Sequence, residues 1–443
     1  MINKQADNAT PLCRHGQIDA SAFLSTLING QICTHFQPIL SLKQHCIVGV
    51  EALSRVQLSD GRHIPPADFF AAAIQFNRTI ETDRLCRSKA LSAFHGIRNA
   101  LRPKQDPLLF LNIDTTILDK GVARSGVLLS QAQTEGIEPE NIVIEIVESC
   151  VHDLDALKEF TEFYRRQGFM IALDDVGSGH SNFDRFAIIR PDIIKIDRSI
   201  ISDIHNDFYK QETFRALVQL SRKIGTLVLA EGVETEEEAL CVLNCDADML
   251  QGYFFARPAP NWEQIAGQLH GKPKEIAEKL RNYKVRKINC IREMYQLYNS
   301  TIEKLTCRLA EAQPETFAAI LENCIKQLPF IEAVYVLNDQ GIMETDTILQ
   351  HNSLERRGKL FQTARRGDDL SLKEYFYLLI FSGLQHYATD SYTSLATGNL
   401  TRTISCTFHD KSGHSHVLCV DVLGELNACP CQDDYDLRPL ATT

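Results

Sequence analysis

The sequence has no window approaching the roughly 18 to 20 uninterrupted apolar residues that a membrane helix needs, so a bilayer span is not expected. Its first residues, MINKQADNATPLCRHGQ, lack the apolar stretch of a secretory signal. An excess of basic residues is also missing. The formal charge is -11 and the pI near 5.7, which excludes non-specific binding to a nucleic-acid polymer, since that requires a basic face. With no export signal, the fourteen cysteines read as reduced thiols, not a disulfide framework, and the expected location is cytoplasmic. What is present is ordinary: 44% hydrophobic and 23% charged residues over 443 positions, enough chain for two or three domains. Any phosphate binding by so acidic a chain must be local, through a few cations or through metals held by carboxylates.

From His35 to about Pro260, short apolar runs alternate with stretches of helical length. The runs lie at 35–42, 46–53, 107–113, 141–147, 169–175, 192–198, 226–232 and 248–255. Each is rich in Val, Ile, Leu or Phe and too short for a helix, which predicts buried strands. Eight strands alternating with helices over about 220 residues predict an α/β fold of the (β/α)8 TIM-barrel type. The link at 43–45 is too short for a crossover helix, so the first two strands are expected to pair antiparallel.

Past Pro260 the pattern changes. No glycine follows Gly271 and no proline follows Pro273 until after Ala310, which predicts one long linker helix over 271–312. Along it Ile288, Ile291, Tyr295, Tyr298, Ile302, Leu305 and Leu309 step by three and four. Such a seam fits either a helix lying on a neighbouring domain or a helix joining a homodimer. Residues 313–426 read as a smaller α+β domain: a strand at 331–341, a helix at 371–383, and a hairpin of 401–413 with 414–424 turning at Asp410 to Gly413. Residues 1–29 and 427–443 read as tails, the latter disordered. His409, His414 and His416 alternate on the hairpin and are expected to be solvated.

The predicted strand ends carry the chemistry. Glu51 closes the second strand, Asn112 the third, Glu145 the fourth, and Asp174 and Asp175 the fifth; Glu231 closes the seventh. In such a barrel the carboxyl ends of the strands converge on one face, where the active site is built. Six oxygen-bearing side chains there suit Mg²⁺ or Mn²⁺, and the His and Cys ligands zinc prefers are missing from these ends. Adjacent acids such as Asp174 and Asp175 repel unless cations neutralise them, and a carboxylate bridging two ions is the usual device of two-metal phosphoester hydrolysis. Lys195 sits inside an apolar strand, with Asp197 as its simplest partner; its functional reading is to hold or deprotonate an attacking water. Arg55 is placed to clamp a phosphate.

These blocks resemble the EAL-domain cyclic di-GMP phosphodiesterases. The resemblance rests on Glu51-Ala52-Leu53 with Arg55, FQPI at Phe36, FLNID around Asn112, IEIVES with Glu145 and Glu148, DDVGSGHSNF from Asp174, KIDRS from Lys195, AEGVET from Ala230, and QGYFFARP from Gln251. It covers about Gly30 to Gln268 with every block in order. It implies a barrel over 30–270 that opens one phosphodiester bond of cyclic di-GMP to give linear pGpG. By carry-over, Glu51, Asn112, Glu145 and Asp174 hold one of two metal ions, and Asp174, Asp175 and Glu231 the other. Lys195 activates the water, and Glu148 anchors the loop after Asp175. Gln37, Arg55, Asp197, Glu234, Gln251 and Arg257 shape the nucleotide pocket. Val147, Val176, Ser178 and His180 depart from the family pattern and bear on the level and regulation of activity, while the metal ligands, Gly177, Gly179 and Glu148 are kept. The alternative implied is a weak or inactive cyclic di-GMP receptor that signals through the linker helix. The C-terminal domain resembles PAS-like or Cache-like sensor modules on KEYFYLL, YTSLATGNLTRTIS and VLCVDVLG, with a cytoplasmic PAS-like variant fitting better.

Overall fold

The computed structural model describes residues 20–29, 32–57, 63–101, 106–147, 153–179, 184–350 and 361–423. The chain divides into two compact units, 1–282 and 283–443. Of the predicted tails, residues 1–19 and the whole of 427–443 lie outside the described residues, as do Glu148 and His180.

In the first unit the strands are β1 (Ile32–Ser41), β2 (Cys46–Gln57), β3 (His63–Ile64), β4 (Leu108–Ile113), β5 (Ile142–Val147), β6 (Met170–Val176), β7 (Ile193–Ile196), β8 (Leu227–Ala230) and β9 (Met249–Leu250). Pairing runs β1-β9-β8-β7-β6-β5-β4-β2 and closes through β1–β2, with β3 appended to β2. Eight strands therefore close a barrel. β1 runs antiparallel to both β2 and β9, while the pairs from β2–β4 round to β8–β9 are parallel. The expected antiparallel start is present because the turn at 42–45 leaves no length for a crossover.

Ile39, Phe110, Val143, Ala172, Ile193, Leu229 and Met249, from seven of the eight strands, form a buried apolar cluster. A second, larger cluster joins the outward strand residues to the surrounding helices. Near-continuous apolar strands are what a sheet covered on both faces requires. Within the stretch expected to be a tail, Ala20–Asn29 is a helix whose Phe23 and Leu27 are buried against Val56, Ile64 and Phe69. The eighth strand is shorter than 248–255: it ends at Leu250, and Gly252 to Phe255 form turns. Gly252 permits this approach, since a Cβ there would sit 1.9 Å from the Val233 carbonyl oxygen.

The second unit holds a six-stranded antiparallel sheet of β10 (Ile331–Asn338), β11 (Ile348–Leu349), β12 (His386–Ala388), β13 (Tyr392–Thr393), β14 (Leu400–His409) and β15 (Ser415–Leu423), in the order β11-β10-β15-β14-β12 with β13 on β14. Asp410 closes the predicted hairpin by accepting from Gly413 N at its carbonyl and from Ser412 N and His414 N at its carboxylate. The long helix spans Lys272–Ala310. Tyr298, Ile302, Leu305 and Leu309, four of its seven seam residues, are buried with Phe317, Val334 and Leu418 in the second unit's own core. That half of the seam is a helix on its domain. Ile288 and Tyr295 are exposed.

The solvated-histidine expectation fails at His416, which is 3% exposed and stacked on Phe408. Its Nδ1 lies 2.6 Å from Glu344 Oε2 and its Nε2 3.3 Å from Asp410 Oδ2. Two acids and two aromatic rings hold it inside. Nine cysteines are free among the described residues, whereas Cys290 is disulfide-bonded, which corrects the reduced-thiol expectation there. Among the described residues no helix is long and apolar enough to cross a membrane.

Candidate active site

The site is built around Lys195, the third residue of β7, which is 1% exposed. Its Nζ lies 2.6 Å from Glu145 Oε1, 2.6 Å from Glu231 Oε1, 3.2 Å from Asp174 Oδ1 and 3.8 Å from Glu51 Oε1. Strands β2, β5 and β6 and the residue after β8 thus deliver four acids to one ammonium. Asp197 is not its partner: that carboxylate instead caps the short helix Arg198–Ile201 by accepting from Ser199 N at 2.9 Å.

Glu51 lies mid-strand in β2, not at its end, because β2 runs on to Gln57 and pairs there with β3. It is directly opposite Gln37 on β1. Asn112 Nδ2 donates to Glu51 Oε1 at 2.9 Å, and Asn112 is in register with Glu145. Gln251, the residue after β9 and not within it, donates to Glu51 Oε2 at 2.6 Å and to Gln37 Oε1 at 3.2 Å. Gln37 passes the chain on to the Ala256 carbonyl at 3.1 Å.

Asp174 and Asp175 sit on an irregularity, where the β6–β7 register shifts between Leu173 and Val176. Asp175 takes the left-handed conformation at φ 58°, and its N–H donates to Asp174 Oδ1 at 2.9 Å. A bulge re-aims side chains that strict alternation would send to opposite faces. Strain of this kind persists where surrounding structure enforces it. As a result Asp174, Asp175 and Glu231 each offer an oxygen within 4.8 Å of the others.

Four carboxylates within 4 Å of one ammonium, with Asp175 beside them, are more negative charge than a buried cluster tolerates. Burial raises Glu51, yet Lys195 and the amides of Gln251 and Asn112 outweigh it and hold this acid below the usual carboxylate range. Burial dominates at Glu145 and Glu231, which the neighbouring acids push well above that range against the pull of Lys195. Asp175 is raised by burial and by Asp174 and Asp197. Burial would lower Lys195, but Asp174, Glu145, Glu231 and Glu51 keep it charged far above the usual lysine range. Glu145 Oε2 is buried and accepts no hydrogen bond among the described residues. Oxygen donors in excess of available protons and cations are a donor set for hard divalent ions.

Arg55, Glu234 and Arg257 have partners of their own. Arg55 donates to the Ser54 carbonyl at 3.0 Å and lines a cavity of about 390 Å³ with Ala52, Leu53, Phe70, Leu111 and Asn112. Glu234 is held by Arg198, Nη2 to Oε2 at 2.6 Å. Arg257 stacks over Tyr253 at 4.3 Å. Sequence reasoning missed Arg198, whose only signal was its place two residues after the Lys195 strand.

A family model described as EAL domain matches residues 20–258. The uncharacterized EAL-domain containing protein YkuI of Bacillus subtilis strain 168 is 23% identical over 387 residues, 86% of this chain and 92% of that protein. Cyclic di-GMP phosphodiesterase PdeR of Escherichia coli K12 is 26% identical over 246 residues, 53% of this chain and 35% of that protein. The crystal structure of B. subtilis YkuI, in complex with substrate c-di-GMP and calcium, aligns with a TM-score of 0.74 at 23% identity, covering 90% of this chain and 98% of that one.

Proposed function

The chain belongs to the EAL-domain family, and on that premise we propose that it binds cyclic di-GMP at the barrel mouth and hydrolyses one phosphodiester bond to give linear pGpG. The observation that carries this reading is the gathering of Glu51, Glu145, Asp174 and Glu231 within 4 Å of Lys195 Nζ.

Glu51, Asn112, Glu145, Asp174, Asp175 and Glu231 are the residues proposed to hold two Mg²⁺ or Mn²⁺ ions. Bound there, the ions would make a water easier to deprotonate and would neutralise charge on the phosphoryl oxygens. Lys195, set among four acids, is placed to orient the attacking water by hydrogen bonding. The water oxygen forms the new P–O bond, the P–O3′ bond breaks, and the 3′ oxygen leaves as a hydroxyl carrying the proton. Gln37, Gln251 and Asn112 fix the Glu51 carboxylate so that the site needs little reorganisation. The largely apolar cavity beside Arg55 suits a nucleobase, with Arg55 turned to the phosphate. Glu148 is proposed to anchor the loop after Asp175, and Asp197, Glu234 and Arg257 to border the nucleotide.

The second unit is proposed as a PAS- or Cache-like sensor that regulates the barrel, and the exposed Ile288 and Tyr295 as the part of the helix available to a homodimer. Incubating the full chain with cyclic di-GMP and Mg²⁺ or Mn²⁺ should yield pGpG, faster or slower than a chain ended at Asn282. Tight binding with intact nucleotide after hours in Mn²⁺ would instead establish the receptor reading. Light scattering at micromolar concentration tests the dimer.

A further inference from the structure

The one-turn helix Arg198–Ile201 begins three residues past Lys195 and touches the barrel-mouth loops on both sides of it. Towards the loop after β6, Gly177 has φ +98°, and a Cβ there would lie 2.2 Å from Ile200 Cδ1. The loop that follows Asp174 and Asp175 therefore rests on the Ile200 side chain, through a residue whose φ favours glycine. Two hydrogen bonds add to this contact: Ser199 Oγ donates to the Gly177 carbonyl at 3.3 Å, and Asp197 N to the Val176 carbonyl at 3.0 Å.

Towards the loop after β8 the arrangement repeats. Gly232 has φ +65°, and a Cβ there would lie 2.7 Å from Arg198 Cβ and 2.8 Å from Cγ. The arginine stem lies in the notch so left, and its guanidinium reaches Glu234. The turn itself is stiff. The Asp197 carboxylate caps it, Ile200 N donates to the Asp197 carbonyl at 3.1 Å, and Ser202 N to the Arg198 carbonyl at 2.7 Å.

We infer that Arg198–Ile201 is a bracket that sets the two halves of the site from one rigid turn. Ile200 is a positioning residue for Asp174 and Asp175, and Arg198 a positioning residue for Glu234. The inference deepens the phosphodiesterase reading and rests on it. Its physical content is that ligand placement to within about an ångström decides function, a misplacement of that size costing on the order of 100-fold. Asp175 lies on β6 and Glu234 in the loop after β8, and the Arg198–Ile201 turn touches the chain beside each.

The test is calorimetry on the full chain, reading two dissociation constants: Mn²⁺ alone, and cyclic di-GMP in the presence of Ca²⁺. Ile200→Ala should weaken Mn²⁺ about tenfold and leave the nucleotide constant within about twofold; Arg198→Ala should do the reverse. Arg198→Lys should recover most of the nucleotide affinity by restoring the charge beside Glu234. Circular dichroism confirms that each variant is folded, and Ile200→Val, one methylene smaller, replaces Ile200→Ala if that variant does not fold. Folded variants with both constants unchanged, or with both constants moving together in each variant, overturn the bracket. A wild-type chain that binds Mn²⁺ and nucleotide but releases no pGpG overturns the phosphodiesterase reading and leaves the bracket decided by the binding data.

Discussion

Gln251 and Glu51 stand 200 residues apart in the chain and 2.6 Å apart in space, with the Gln251 amide donating to Glu51 Oε2. With the Lys195 ammonium, the bond helps hold a buried acid in its ionised form, the form that can ligate a cation. Gln251→Leu removes that donor without adding charge. Turnover at pH 7 should fall about tenfold or more, the worth of one charge-assisted hydrogen bond, and rising pH should recover part of the loss. A variant with the wild-type rate across that range would remove the amide from the machinery.

Glu145 and Glu231 predict how metal binding responds to pH. Burial and neighbouring acids hold both above the usual carboxylate range, so each keeps a proton at pH values where a free carboxylate has lost it. A divalent ion must displace those protons. Mn²⁺ affinity should therefore weaken as pH is lowered. Calorimetry in buffers of different ionisation heat should show more protons released per ion at pH 6 than at pH 8. No proton release at either value would show that the acids are already ionised.

Asp421 on β15 gives a second pH dependence, confined to the other unit. It is buried, accepts from Thr403 Oγ1 at 2.7 Å, and is pushed up to about 7 by burial against that hydrogen bond, with Glu332 adding to the rise. The unfolded chain loses this proton near pH 4 and the folded one near pH 7. Stability from this group is therefore full at low pH and lost as pH rises between those values, by up to about 4 kcal/mol. Asp421→Asn should raise the melting temperature of the second unit at pH 8 more than at pH 5. An equal gain at both would mean that Asp421 is ionised throughout.

Ile302 tests how the long helix is used. It is 2% exposed within the second unit's core, so Ile302→Ala should destabilise that unit by about 2–5 kcal/mol, read by denaturant titration. Ile288→Ala, at an exposed position, should cost less than about 0.5 kcal/mol. A small effect at Ile302 would contradict the packing.

These residues also show what the sequence makes legible. The barrel could be read because strands covered on both faces must be apolar throughout, and the pattern survives any detail of register. Lys195 stood out since a lysine in such a strand has to be satisfied. The limits of β9 were hidden because YFF after Gln251 is as apolar as a strand, although Gly252 turns the backbone instead. Asp175's left-handed conformation is invisible in sequence; two adjacent acids do not announce a bulge. The helix seam was ambiguous for a physical reason: a stripe with period near 3.5 fits another helix or a sheet equally well. At Tyr298, Ile302, Leu305 and Leu309 the partner is the chain's own second unit. His416 looked like surface because alternation gives no hint of Glu344, 72 residues away, which pairs with it.

The inverted β1 has a practical consequence. Since it runs against its neighbours, the four-residue turn at 42–45 joining it to β2 falls at the end of the barrel away from the carboxylates, where Lys43 reaches Asp248 just ahead of β9. A reporter peptide or fluorophore grafted into that turn would ride on the floor of the barrel, leaving the chemistry at the opposite rim undisturbed while it signals whether the first two strands have closed.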